Sequence, residues 1–559
     1  LKYQVNNWLQ FSGRVRADNS TNLNEVRNFA STLPLLAGNS NNGSYLNAND
    51  KTRQTYADVL GTITDNFGDI GLNFNLGTSF LRTNYQITAN SLDANGAGLA
   101  TVPNLFSLSN VTPSPNLQER YTEETQAIFA NAQLNYKNGL YLDVTGRNEW
   151  SSPLANTRKK SFFYPSVGLS FILNEWVPIN PGVLSFAKLR GSYSEVGNTL
   201  PRFISQESYP VNPNGVSVNP NLALTDLKPE RTKAIEAGIN TKFLHNKISF
   251  DVTLYQSDTY NQLFRFAAPD GSGVSNYYVN AGKVRNKGIE ASLGGNIQIG
   301  PLLWQPSAIF TLNRNRIEKL VENYINPVTG VPFTSNRFDM GGIGSYRNYI
   351  EKGGSFGDIY VNKLETDAHG YILVNPTTGA LSVDNVNLLK AGNTNPRFNV
   401  GFRNSFQYKQ FNLGFLIDGR FGGVMVSSTQ ALMDGYGTSA ASEKARDNGG
   451  VEINGQMYDA KRYYETVGLG TGVLSRYVYS ATNIRLREAS LAYTFPSALF
   501  NNRIKSITAS VIGRNLFMFY NKAPSDPETT ASTGTYFQGI DYFMLPSLRS
   551  IGFSLRVNL

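Results

Sequence analysis

Only two imidazoles, His245 and His369, occur among the 559 residues, and there is no cysteine. A metal centre needs several N, S or O ligands converging, and a nucleophilic triad needs a base beside its hydroxyl or thiol. His245 falls in a short predicted turn and His369 in a long connection, far apart in sequence. Gly271-Ser272-Gly273 resembles a nucleophile elbow only superficially, because no helix follows from Val274. Glu123 and Glu124 could act as a glycosidase pair only if both carboxyls faced one substrate. Adjacent residues on a strand point to opposite faces. Glu365, Asp367 and Gly370 hold fragments of a calcium loop without its ligand spacing. No HExxH and no phosphate-cradling glycine loop opening a helix is present. The chain therefore reads as no enzyme, with no catalytic residue, metal site or cofactor expected and the ligand-binding residues unknown.

What the sequence does specify is the scaffold. In the last segment Ile551, Phe553, Leu555, Val557 and Leu559 share one parity, while Gly552, Ser554, Arg556 and Asn558 share the other. Strands send successive side chains to opposite faces, so one face here seeks an apolar surrounding and the other water. Leu72, Phe74, Leu76 and Phe80 repeat the pattern, as do Ile248, Phe250, Val252 and Leu254, and Phe411, Leu413, Phe415 and Ile417. Candidate strands fall at about 8–18, 53–64, 70–84, 122–136, 139–149, 163–173, 184–194, 231–244, 247–258, 283–298, 302–315, 398–409, 411–421, 483–495, 505–517 and 547–558. No long amphipathic helix competes with them.

The connections alternate in length. Short turns are expected at Tyr136-Lys137-Asn138-Gly139, Leu244-His245-Asn246-Lys247, Ile299-Gly300-Pro301 and Tyr408-Lys409-Gln410. Long Asn/Gly/Ser/Pro-rich stretches lie at 19–52, 85–121, 195–230, 259–282, 316–397, 422–482 and 518–546 and read as structureless loops. Soluble domains rarely tolerate such loops, whereas transmembrane barrels carry short turns at one rim and long extracellular loops at the other. A propeller would show a repeat of about 40–50 residues, and none is present. Charged residues make up 16% of the chain, below the usual ~25%. No stretch is apolar enough to cross a bilayer as a helix. The net charge of +9 comes from scattered residues with no basic helix, which suits loop, lumen and anionic-headgroup positions and argues against nucleic acid. The expected fold is all-β, a transmembrane antiparallel β-barrel. About sixteen strands, a start at Leu1-Lys2-Tyr3-Gln4 inside a strand approach, and no compact plug suggest that residues 1–559 are the C-terminal portion of a larger, roughly 22-stranded plugged barrel. The plug and the first barrel strands would then lie upstream or on another chain.

Several segments resemble TonB-dependent receptors. Leu227-Lys228-Pro229-Glu230-Arg231-Thr232 followed by Glu236-Ala237-Gly238 is similar to a signature that opens a strand after an extracellular loop. Tyr277-Tyr278-Val279-Asn280-Ala281-Gly282-Lys283-Val284-Arg285-Asn286-Lys287-Gly288-Ile289-Glu290 resembles the SusC/RagA branch. Leu189-Arg190-Gly191-Ser192-Tyr193, Val196-Gly197-Asn198, Asn395-Pro396-Arg397-Phe398, Asp418-Gly419-Arg420-Phe421-Gly422-Gly423, Ile484-Arg485-Leu486-Arg487-Glu488, Gly513-Arg514-Asn515-Leu516 and Asp526-Pro527-Glu528 follow in the family's order. A terminal Leu559 departs from the aromatic residue frequent at barrel ends.

The resemblance implies TonB-dependent import of oligosaccharides or peptides across the outer membrane. Its implied partners are a SusD-like surface lipoprotein as lid, a plug-bearing N-terminal portion, the TonB-ExbB-ExbD complex acting through the plug, and outer-membrane lipid. A dimer of transporter–lipoprotein pairs is also implied. The alternative is an outer-membrane adhesin or assembly scaffold without energised transport. Individual motif residues have structural readings: Pro229 and Pro396 at the first residue of a strand or beyond its end, Gly282 and Gly288 at a bulge or close approach, Arg190 and Asp251 as lumen charges paired with each other or with the plug.

Overall fold

The computed structural model describes residues 1–558 except 115, 208–210, 213–214, 217–220, 471, 501–503 and 533–537; Leu559 lies outside the described residues. Every expected strand is present. We label them β1 (Leu9–Asn28), β2 (Ser44–Phe67), β3 (Ile70–Ala89), β4 (Leu117–Tyr136), β5 (Leu140–Ser151), β6 (Ser161–Ile172), β7 (Leu184–Asn198), β8 (Glu230–Phe243), β9 (Ile248–Ala267) and β10 (Asn276–Gly295). The series continues with β11 (Leu302–Lys319), β12 (Phe398–Tyr408), β13 (Phe411–Phe421), β14 (Asn483–Pro496), β15 (Ser506–Asn521) and β16 (Ser550–Asn558).

The chain divides into two compact units, residues 1–169 with 194–231 and 263–280, and residues 170–193 with 232–262 and 281–559. In the first, β1 to β5 form a continuous antiparallel meander; β1 pairs with β2 from Leu9↔Ile63 to Asn28↔Ser44. In the second, β10 through β16 pair antiparallel in chain order.

Side-chain placement in the strands is the reverse of a water-soluble sheet. Val15, Val59, Leu76 and Ile128 in the first unit, and Leu293, Leu413, Leu491 and Phe553 in the second, are exposed. Rows of exposed aliphatic and aromatic residues on one parity are a face built for hydrocarbon. The opposite parity carries the polar pairs, such as Thr62 with Asn75 at 2.7 Å and Gln133 with Asp143 at 2.7 Å. Short turns take the left-handed backbone their sequences allow: Lys137 and Asn138 have φ of 48° and 52°, as a two-residue hairpin of matching twist requires.

The long connections are not structureless, and this corrects the sequence reading. In 19–52 the hairpin runs on to Asn28 and resumes at Ser44, and 259–282 is shortened in the same way by β9 and β10. The stretch 316–397 contains strands Val321–Ile325, Pro332–Ser335, Arg337–Ile343, Tyr346–Glu351, Asp358–Leu364 and Val383–Asn393. The stretch 422–482 contains helices α1 (Ser428–Gly435), α2 (Ala440–Asp447) and α3 (Ala460–Gly468). Ser427, Ser439 and Asp459 cap these helices through side-chain oxygens on the first-turn N–H groups. Together with 518–546 these stretches bury one conventional core of Tyr346, Ile359, Val361, Val426, Val467, Leu474, Tyr477 and Ile540. A smaller core of Leu154, Phe162, Leu200, Ile204 and Leu227 lies in the first unit.

Candidate functional site

The residues considered for chemistry stay apart. Glu124 accepts from Arg82 at 2.6 Å and Glu123 from Arg202 at 3.1 Å, each within its own ion pair. His245 sits in a turn with φ of 56°. Asp367 accepts from the backbone N–H of His369 and Tyr371, shaping a turn. Ser272 donates to the Val274 carbonyl. Among the described residues no group of three His, Cys, Asp or Glu could hold a metal.

The motif residues, by contrast, converge at two places in the second unit. The first is a cavity of about 1250 Å³ whose lining includes Tyr255, Asn286, Glu290, Asn313, Asn315, Asn395, Arg397 and Asn399. Alternation on β10, β11 and β12 puts Asn286, Glu290, Asn313, Asn315 and Asn399 on the polar parity, while Tyr255 comes from β9 and Asn395 and Arg397 from just ahead of β12. The Asn286 side-chain oxygen accepts from Asn315 at 2.9 Å and Asn313 at 3.3 Å. Asn315 in turn accepts from Ser355 Oγ and the Phe356 N–H at 3.1 and 2.8 Å, fixing a connection to the wall. Tyr255 explains the glycine of Asn286-Lys287-Gly288: a Cβ at Gly288 would lie 2.2 Å from the Tyr255 ring. Gly282, with φ of 83°, precedes a register shift between Lys283 and Val284, the expected bulge. Amides with both donor and acceptor edges, aromatic rings and the exposed guanidinium groups of Arg314 and Arg397 can recognise hydroxyl-rich or amide-rich chains.

The second place is an ionic lock. Arg485, on β14, donates to both Asp526 oxygens at 2.9 and 2.8 Å and to Asn483 at 3.1 and 2.9 Å. Arg487 donates to Asp418 at 2.7 Å and to both Glu528 oxygens at 2.9 and 3.1 Å. Three separate motifs, Asp418–Gly423, Ile484–Glu488 and Asp526–Glu528, thus become one network that holds the 518–546 connection to the wall. Burial pushes the Asp526 carboxyl up, but Arg485, Ser547 and the Glu528 N–H outweigh it and leave its pKa below the ordinary value. A third motif pair behaves as expected: Arg190 binds Asp251 through two hydrogen bonds of 3.0 and 2.8 Å, with Asn240 also on Asp251.

Residues 2–387 match the family model described as TonB dependent receptor-like, beta-barrel. The chain belongs to that family. The family is one of outer-membrane receptors rather than enzymes, so the exposed apolar parity meets the outer-membrane hydrocarbon. TonB-dependent receptor P3 of Formosa agariphila is 25% identical over 476 residues, 78% of this chain and 46% of the relative. TonB-dependent receptor P26 of the same organism is 24% identical over 493 residues, covering 80% and 48%. The chain therefore spans about half the length of the curated relatives it matches. Among solved structures, the RagAB peptide importer in its open-open state aligns over the whole chain and 60% of its own, with a TM-score of 0.77 at 17% identity. The closed-closed state gives 0.74. At such identities the likeness concerns the fold alone.

The cavity residues Asn286, Glu290, Asn395 and Arg397 belong to segments that resemble family signatures, and no site is expected of them from sequence. For Asn286 and Glu290 the available signal is their shared parity on β10, which places them on one sheet face; Asn395 and Arg397 precede β12 and carry none. Asn313, Asn315 and Asn399 carry the same parity signal.

Proposed function

We propose that this chain is the wall and loop portion of a SusC-like transporter that imports oligosaccharides or peptides by TonB-dependent transport. The observation that carries this reading is the amide- and ring-lined cavity on the polar face of β10–β12, built from the family's own motif residues. The RagAB importer, a peptide importer by its own description, supports a peptide as one of the two substrate classes. In this reading residues 1–559 are the C-terminal part of a 22-stranded barrel. The plug-bearing portion fills the lumen and engages TonB-ExbB-ExbD, and a SusD-like lipoprotein caps the mouth. Transporter–lipoprotein pairs assemble as dimers.

The test uses the intact receptor in its native membrane. Uptake of fluorescent oligosaccharides and peptides is measured with and without a protonophore, in wild type and in an Arg397→Ala, Asn399→Ala variant. The proposal expects uptake that stops with the protonophore and falls on the order of tenfold in the variant at unchanged membrane abundance. No uptake of either class, or uptake indifferent to the protonophore, would overturn it in favour of a scaffold or adhesin.

A further inference from the structure

On β10 and β11 the parity facing hydrocarbon ends in an unusual way. Their register is unbroken from Gly294↔Ser307 to Val284↔Ile317. Along that face the cross-strand pairs are Leu293–Ala308, Ala291–Phe310 and Ile289–Leu312, and then Lys287–Arg314 and Arg285–Arg316. Three apolar pairs give way to two basic pairs in consecutive positions. The opposite parity carries Asn286 and Glu290 of the cavity, whose rim Arg314 also borders, while Lys287 and Arg316 lie outside its lining.

Directly opposed strand residues have Cβ atoms about 4.5–5.5 Å apart, and like charges there repel. Two such pairs stacked on one face call for a counter-charge. The protein supplies part of it: Asp258 holds Arg285 at 2.6 and 3.0 Å and Lys283 at 3.5 Å, and Glu318 lies 3.8 Å from Arg285. That accounts for Arg285. Lys287, Arg314 and Arg316 are exposed, and among the described residues no carboxylate lies within 4.0 Å of them. Arg316 also borders a recess with Glu318, Glu351 and Lys352, so Lys287 and Arg314 are the most open of the three.

Their height is informative. From Trp304 to Leu312 the outward residues of β11 are Trp, Pro, Ala, Phe and Leu, about 27 Å along the strand and about 20 Å of height at a tilt of ~40°. Trp304 stacks on Phe406 at the short-turn end, the aromatic girdle expected at an interface. Two residues beyond Leu312, at the long-loop end, the basic pairs stand where hydrocarbon gives way to headgroups. Arg and Lys at that level meet phosphate, and Arg matches it with two parallel donors.

We propose that Lys287 and Arg314, with Arg316 beside them, form a binding site for the phosphate headgroup of a membrane lipid on the outward face of β10 and β11. The phosphate lies between the opposed cations and relieves their repulsion, while the acyl chains lie along Ile289, Leu293 and Phe310. The proposal concerns the lipid-facing surface and stands whether or not the cavity binds the proposed substrates.

The intact receptor, purified in a non-ionic detergent, is titrated with dioctanoyl phosphatidic acid, with the uncharged dioctanoylglycerol, and with inorganic phosphate, following thermal stability and native mass. Phosphatidic acid is expected to bind and raise the melting temperature, and the other two are not. Lys287→Gln, Arg314→Gln should weaken that binding on the order of tenfold. Lys319→Gln, whose ammonium is paired with Glu322 at 3.4 Å, should leave it unchanged. Equal binding by the double variant overturns the site. An equal response to dioctanoylglycerol shows that chains alone bind, and an equal response to inorganic phosphate shows a free-anion site; either overturns the lipid assignment. Heat-modifiable gel mobility reports whether the variant folds. Should it fail to fold, the wild type in 1 M NaCl decides: screening should release the lipid, and retention overturns the proposal.

Discussion

The strands of the wall and the folded connections of the second unit use the same residue types in opposite places. On the wall Phe402, Leu413 and Leu491 stand exposed while Asp418 and Arg485 turn to the polar face. In the connections Ile359, Val361 and Val426 are fully buried, and the buried carboxylates Asp358, Asp434 and Asp541 accept from Lys390, Gln430 and Ser427. The wall gains cohesion from its ladder and polar pairs, because hydrocarbon is no worse a neighbour for leucine than another leucine. The connections must collapse on a core, because their surroundings are water. One chain thus follows two solvents, and the ionic lock joins them: Arg485 and Arg487 belong to the wall, Asp526 and Glu528 to a connection.

The largest effect should come from breaking that joint. The Arg485 and Asp526 side chains are 3% and 8% exposed. Removing one member of a buried pair leaves the other charge unmatched, at about 3–5 kcal/mol. Arg485→Ala should therefore free residues 522–532 to amide exchange and proteolysis while β1–β5 keep their protection. Equal protection of that segment in the variant would mean the lock contributes nothing.

Next is the core of the connections. Ile359→Ala deletes buried methylenes in a site closed by Tyr346 and Val426, at about 2–5 kcal/mol. Tyr346 reinforces that site: its hydroxyl donates to the Gln538 carbonyl at 2.5 Å, and burial pushes its pKa up to about 12. Exchange should rise across 346–364 and leave β12–β13 unchanged. The wall should answer to the opposite chemistry. Phe415, midway along the apolar parity of β13, stacks with Phe406. Phe415→Arg should cost about 2–4 kcal/mol in bilayer unfolding, and Asn412→Arg on the polar parity close to none. Equal costs would contradict the assignment of the two faces.

The two regions were unequally legible in the sequence. Wall strands were readable because hydrocarbon on one side and water on the other impose a period of two, and each of the sixteen was located. Beyond the bilayer both faces are wet, so the signal fades although the ladder continues; that is why β1 to Asn28 and the start of β2 at Ser44 read as loop. The core of the connections was not legible at all. Its residues come from three stretches separated by wall strands, and helices of eight or nine residues are too short to display a period. The pairing of Arg190 with Asp251 is one of the two partnerships expected of these lumen charges, the other being the plug. The pairing of Arg485 with Asp526, which spans a long connection, carried no such cue.

The smallest expected effect is a pH dependence confined to the joint. The folded Asp526 carboxyl has its pKa lowered, because the pull of Arg485, Ser547 and the Glu528 N–H exceeds the opposing push of burial. A group whose pKa is lower folded than unfolded contributes stability that is present above its unfolded value, about 3.9, and is lost as pH falls through the folded value. Protection of 522–532 relative to intrinsic exchange should therefore be flat from pH 8 to 5 and fall below about 4, with the 346–364 core unaffected. In Asp526→Asn, which keeps the shape without the titration, that acid step should vanish. An acid step of the same size in Asp526→Asn would show that the pH response does not come from Asp526.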